Sequence, residues 1–218
     1  MSINVLTIII LITVVVSINA FNNRSIMERF MFIPYDVKHN GNHLRTFAHV
    51  LIHANWAHLA FNMMALYFLG NIFLNAPCGV YMGVDCGLTS EYGEVTGQFH
   101  FLALYVLGGL FATLIPYFRN QDNSAYRSLG ASGAVSAVVF ASILWNPTVP
   151  LNIMFIPINI PAYIFGPLYL VAEFFMDRRG GTGIAHDAHI GGALFGIIYV
   201  LIINIDKGKE FFEAIIGG

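Results

Sequence analysis

Four polar residues stand where an otherwise apolar chain has little use for them. Ser132 opens the run "SGAVSAVVFASILW", His58 and Asn62 lie four apart in "HANWAHLAFNMM", and His189 sits in "AHDAHIGGALFG". A serine hydroxyl is a useful nucleophile only when a base within hydrogen-bond reach takes its proton, and neutral imidazole does so near physiological pH. The oxyanion that follows attack needs preorganised donors. The free N–H groups and positive dipole end at a helix N-terminus supply them, and Ser132 occupies such an N-terminus. His58 and Asn62 share one helix face and add side-chain donors, each such donor being worth about 3–4 kcal/mol of transition-state stabilisation. Ser132 is therefore the candidate nucleophile, His189 the candidate base, and His58 and Asn62 the candidate oxyanion donors. Taken singly, each has a plainer reading: small residues around a serine serve helix packing, and a histidine in a membrane bonds across helices.

The elements that must position these groups are membrane helices. Of 218 residues, 57% are hydrophobic and 10% charged, and the mean hydropathy is +0.69, which a water-soluble domain could not carry without large exposed apolar patches. Six apolar stretches, about 3–20, 51–74, 99–118, 131–145, 152–176 and 189–205, have lengths suited to spanning helices. The fold class expected is all-α, a six-helix polytopic bundle forming a single membrane domain over 1–218. The two-residue alternation of a lipid-facing barrel strand is missing. The first stretch lacks the basic flank and short core of a signal peptide and is read as a helix. A net charge of −2 offers no surface for nucleic acid, and no phosphate-binding glycine loop or zinc-type cysteine spacing is present. No cofactor is expected. His186 and His189, three apart, lack the companions of a metal-binding motif, so no metal site is expected either.

With six spans, the second, fourth and sixth helices enter from the same side, so His53, His58, Asn62, Ser132 and His189 gather toward one face. Polar groups inside a membrane are costly, and several that can meet point to function. The fourth stretch would measure only about 22 Å as a helix against about 30 Å of hydrocarbon, which sinks Ser132 beneath the surface. Gly130 and Gly133 permit the tight entry into it. Gly192 and Gly196 form a G-x-x-x-G on the sixth helix that lets the small residues of the fourth approach closely. In the fifth stretch, Pro157, Pro161 and Pro167 would interrupt the helical ladder and favour kinks.

Together, "HANWAHLAFN", "GASG" and "AHIGGALFG" resemble, in order, the three motifs of the rhomboid family of intramembrane serine proteases. The resemblance covers nearly the whole chain. It implies a Ser132–His189 dyad, with His58 and Asn62 on the oxyanion side, His53 and Arg45 as structural support, and transmembrane proteins of the lipid bilayer as substrates. It also implies a non-enzymatic alternative, a rhomboid-like chaperone or adaptor that binds client helices. Leu44, Leu74 and Ser136 stand where many members have Trp, Glu and an aromatic residue.

Orientation is contested within the sequence. The loops on the Ser132 side carry Arg24, Arg29, Lys38, Arg45, Arg119, Arg127, Arg178 and Arg179, and the opposite side carries Lys207 and Lys209. The positive-inside rule puts the Ser132 face in the cytoplasm, whereas the resemblance puts it outside, in a bacterial cytoplasmic membrane; the resemblance is followed for catalytic geometry. Cys78 and Cys86 would then be free thiols in a reducing loop, and in the inverted orientation they could form a disulfide.

Overall fold

The computed structural model describes residues 4–78, 86–152 and 159–217. The chain runs α1 (Val5–Asn22), three short loop helices α2 (Arg24–Phe30), α3 (Pro34–Asn40) and α4 (Arg45–Ala48), and a 3-10 turn at His49–Leu51. It continues through α5 (Trp56–Asn75), α6 (Leu88–Tyr92), α7 (Glu94–Ala112), α8 (Leu114–Asn120) and α9 (Ser132–Trp145). Strands β1 (Pro150–Asn152) and β2 (Asn159–Pro161) precede α10 (Ala162–Arg179), α11 (His186–Ile203) and α12 (Asp206–Ile216). This is the expected polytopic helical bundle. Four helical segments, 5–22, 56–75, 94–120 and 186–203, are long and apolar enough to cross a membrane. The other two core segments fall short for different reasons: α9 has 14 residues, and α10 carries Glu173, Asp177, Arg178 and Arg179.

Packing converges on α9, which touches α5, α7, α10 and α11. Its residues from Gly133 to Val138 are all buried, so the helix that begins with Ser132 is surrounded by protein rather than lipid. Small residues make this possible. A Cβ on Gly192 would lie 2.0 Å from the Gly133 carbonyl oxygen, and one on Gly196 would lie 2.1 Å from that of Ala137. The G-x-x-x-G of α11 is thus laid against the α9 backbone, as its spacing predicts. At the other end of α9, the Trp145 indole N–H donates to the Cys86 carbonyl at 2.7 Å.

Several boundaries depart from the sequence reading, and the third stretch starts at Glu94, five residues before the expected 99, and is divided at Thr113 between α7 and α8. Residues 51–55 are not part of the second helix, because Asn55 caps α5 by accepting the His58 N–H at 2.8 Å. The fifth stretch does not begin a helix at 152. Pro150 and Pro161 frame an antiparallel hairpin, since neither can donate to a helical ladder, and α10 starts only at Ala162. Pro161 therefore precedes the helix, Pro167 lies inside it, and Pro157 falls outside the described residues. The last helix starts at His186, one turn earlier than expected, which brings His186 into the ordered N-terminus beside His189. Cys78 and Cys86 are joined in a disulfide at the end of the bundle remote from Ser132.

Candidate active site

The approach to Ser132 is an irregular segment clamped on both sides. Phe32 and Ser128 exchange backbone hydrogen bonds at 2.9 and 3.0 Å, and the Gly130 N–H donates to the His49 carbonyl at 3.0 Å. His53 fixes the next residue. The Ala131 N–H donates to its Nε2 at 3.3 Å, which makes Nε2 the acceptor and places the ring proton on Nδ1, where it meets Ser17 Oγ at 2.9 Å. Ser17 passes its own proton to the Leu51 carbonyl at 2.9 Å. Every donor in this chain has an acceptor if His53 is neutral. Burial, with His58 beside it, pushes its pKa down to about 3, and burial alone pushes that of His49 down to about 4. Both histidines therefore work as neutral struts. Arg45 holds the preceding loop through the Glu28 and Met31 carbonyls at 2.7 and 2.8 Å and an ion pair with Asp36 at 3.2 Å.

Gly130 is the position where only glycine fits. Its φ is +119°, and a Cβ there would lie 2.6–2.8 Å from the His58 ring. His58 is thereby brought against the entry to α9. The Ala54 N–H points at its Nδ1 in a long 3.5 Å contact, which favours the ring proton on Nε2, the nitrogen beside Gly130. One turn along α5, Asn62 is buried, and its Nδ2 amide has no partner among the described residues. A buried donor left unmatched costs about 1–3 kcal/mol, and such cost is tolerated where a ligand supplies the acceptor.

Ser132 starts α9 and His189 lies in the first turn of α11, the two helices whose backbones meet at Gly133 and Gly192. A Cβ on Gly133 would stand 3.5 Å from the Ala188 carbonyl oxygen, so the residue after the serine faces the residue before the histidine. Ser132, Gly133, Ala185 and Ala188 line one small cavity together with Gly130 and His49. His58 is close enough to His189 for their charges to interact. His58 and the segment that carries His189 thus both approach the N-terminus of α9, while Asn62 is one turn beyond His58 along α5. Among the described residues, the His189 ring makes polar contacts through Nδ1, with Glu173 at 3.1 Å and the Tyr169 hydroxyl at 3.4 Å. Serine–imidazole bonds in ligand-free sites are often long and tighten when substrate arrives.

A match to the rhomboid domain model spans residues 40–205, enclosing every one of these residues. The chain belongs to the rhomboid family. That family includes serine proteases, among them the rhomboid protease AarA of Providencia stuartii, which is 27% identical over 190 residues, covering 77% of this rhomboid and 60% of the relative. The presenilin-associated rhomboid-like protein of human mitochondria is 35% identical over 124 residues, 55% of this chain and 32% of its own. RHOMBOID-like protein 12 of Arabidopsis thaliana, also mitochondrial, is 26% identical over 204 residues, 87% of this chain and 54% of its own. The rhomboid thus spans about a third to three fifths of the length of these curated relatives.

Two features of this rhomboid escaped the sequence reading. Where Ser136 provides no aromatic ring, α10 brings Tyr169 beside the base, its hydroxyl 3.4 Å from His189 Nδ1. Below it lies Glu173, buried within α10. One carboxylate oxygen is 3.1 Å from His189 Nδ1 and the other 2.6 Å from His186 Nδ1. The donor atoms of Glu173, His186 and His189 lie within 4.8 Å of one another, close enough in principle to share a cation. Here they satisfy one another instead. A second cluster fastens the same face: Arg119 from α8 reaches Asp177 of α10 at 2.9 Å and Asp187 of α11 at 3.4 Å. Leu74 is simply core, fully buried at the far end of α5.

Proposed function

We propose that this rhomboid is an intramembrane serine endopeptidase that hydrolyses peptide bonds in or near transmembrane segments of membrane proteins by a Ser132–His189 dyad. The observation that supports the reading is the close backbone packing of the N-terminal parts of α9 and α11, where Gly192 lies against the Gly133 carbonyl and Gly133 against Ala188, the neighbours in sequence of Ser132 and His189. Ser132 Oγ attacks the scissile carbonyl carbon as His189 Nε2 takes its proton, and the tetrahedral oxyanion forms beside the α9 N-terminus, His58 Nε2–H and Asn62 Nδ2. His189 then returns the proton to the leaving amine, and water repeats the cycle on the acyl-enzyme. A substrate helix approaches between α5 and α10 and unwinds locally, because its backbone hydrogen bonds must open before attack. We take residues 1–218 as one membrane domain built for this task.

A serine-directed fluorophosphonate tests the proposal with few assumptions. The purified protein is expected to label, and Ser132→Ala and His189→Ala are expected to stop labelling. Equal labelling of Ser132→Ala would reject the nucleophile. No labelling of a folded wild-type protein would leave a rhomboid that holds client helices without cutting them.

The side served by the pocket follows from two supports of different origin. Eight of the ten basic residues flank the Ser132 face, and the cysteine pair at the opposite end is oxidised. Both favour a cytoplasmic pocket, in place of the external one drawn from the family resemblance. We place the chain in a bacterial cytoplasmic membrane, for which the Providencia relative is the support; the mitochondrial names belong to relatives matched over a smaller share of their length. In intact bacterial cells, a membrane-impermeant maleimide is expected to label Cys78 and Cys86 only after treatment with an impermeant reductant. Labelling that needs permeabilised cells would restore the external pocket.

A further inference from the structure

We propose that Glu173 is the positioning residue for the base, so that this rhomboid works with a Ser132–His189–Glu173 relay rather than a dyad; the inference rests on the protease reading above. The case is an accounting of protons. The Ile184 N–H donates to Thr182 Oγ1 at 3.2 Å, and the Thr182 hydroxyl lies 2.8 Å from His186 Nε2. With that hydroxyl proton directed at Nε2, His186 carries its own proton on Nδ1 and donates it to Glu173 Oε2 at 2.6 Å. The remaining oxygen, Oε1, faces His189 Nδ1 at 3.1 Å. An ionised carboxylate can only accept, and its charge beside Nδ1 favours the His189 tautomer that carries the proton there. Nε2, at the other end of the ring, is then a bare lone pair.

This set of proton positions gives Glu173 a donor on each oxygen, and it is the set that general-base catalysis requires; the Tyr169 hydroxyl, 3.4 Å from the same Nδ1, then directs its own proton elsewhere. The opposite tautomer would set the Nδ1 lone pair against a carboxylate. As Ser132 attacks, its proton moves to His189 Nε2 and the imidazolium that forms is held by the Glu173 charge; the carboxylate gains no proton. Glu173 and His186 are buried, with side-chain exposures of 6% and 3%, and His189 is 12% exposed, so water has little access to these contacts. The groups facing His189 are Glu173 and Tyr169 from α10, His58 from α5 and His186 from its own helix. Glu173 is the carboxylate among them. His186 and Thr182 anchor that carboxylate to the loop before α11, which stops it from rotating away.

The test uses the full chain in detergent or liposomes and a cleavable transmembrane reporter. Glu173→Gln can offer its amide hydrogens to Nδ1 and so favour the wrong tautomer. It is expected to lower kcat by about 30-fold or more, bounded near 10⁴-fold by the loss seen when a triad carboxylate is made an amide, with KM changed less than about twofold. The acid limb of the pH–kcat/KM profile is expected to move to lower pH, because the imidazolium loses its counter-charge, and Glu173→Asp is expected to recover part of both. An unchanged kcat and an unmoved acid limb in folded Glu173→Gln overturn the proposal. If that variant does not fold, the ¹⁵N shifts of His189 in wild-type protein, assigned against His189→Ala, decide instead. A ring protonated at Nδ1 and bare at Nε2 at neutral pH supports the relay, and the reverse tautomer overturns it. Ser132→Ala in the same assay separates the two layers. Cleavage that survives it rejects the protease reading, whereas Ser132-dependent cleavage indifferent to Glu173 rejects only the relay.

Discussion

His189→Ala is expected to lower kcat for cleavage of a transmembrane reporter by about 10⁴- to 10⁶-fold, the range found when the base of a serine–histidine pair is removed. At about 1.4 kcal/mol per tenfold change, that is roughly 5–8 kcal/mol of barrier. Ser132→Ala should cost as much, and the double variant should be no slower than either single one, because the two groups act on the same proton and neither helps without the other. His58→Ala and Asn62→Ala form a milder class. Each removes one donor to the oxyanion and is expected to cost about 10²- to 10³-fold in kcat with little change in KM. Additive losses in the Ser132–His189 double variant would mean that the residues do not share a step. Cleavage undiminished by either single substitution would remove the dyad altogether.

The groups in that prediction were legible because their positions are set by helix phase. A serine at the first position of a short apolar helix, a histidine and an asparagine four apart, and a histidine three residues before a G-x-x-x-G can each be placed on a face by counting. The expectation that they converge needed only the parity of six spans. Glu173 was not found that way. It sits in "AEFFMDRR", where Asp177, Arg178 and Arg179 give the stretch the look of a helix leaving the membrane, and the three prolines drew attention to bending instead. A signal was available: a carboxylate within a span is costly enough to need a partner, and past Arg178 and Arg179 at the helix end, His186 and His189 are the donating groups at the start of the next helix. The hairpin at 150–152 and 159–161 was missed for another reason. Its apolar composition reads as well for a buried helix as for a strand, and only the placement of Pro150 and Pro161 outside any helical ladder distinguishes them. The three short helices before α5 carry no long periodicity, and they are held by Arg45 and the Phe32–Ser128 pairing rather than by a local pattern.

The second large effect lies outside the reacting groups. Gly192→Val is expected to destabilise the folded protein by about 3 kcal/mol or more and to abolish cleavage, although no reacting atom is altered. The reason is that the obstacle is backbone. The Gly133 carbonyl oxygen occupies the space 2.0 Å from where a Cβ at 192 must go, and no side-chain rotation relieves that overlap. Helices α9 and α11 would have to part near their first turns, which are the turns carrying Ser132 and His189, so a separation of about 1 Å is enough to disrupt proton transfer. Gly191 supplies the internal comparison. A Cβ there would meet Ala112 Cα at 3.3 Å, a contact that a shift of a few tenths of an ångström accommodates, so Gly191→Ala should unfold only slightly earlier than wild type and keep most of its activity. Leu194→Ala, at a side chain that is 44% exposed toward the surrounding medium, should change neither property much. Thermal unfolding in detergent and reporter cleavage, measured on the three variants together, check the order Gly192→Val, Gly191→Ala, Leu194→Ala from most to least damaging. Should Gly192→Val unfold with wild type and still cleave, the two helices would not be in backbone contact, and the meeting of Ser132 with His189 would lose its physical cause.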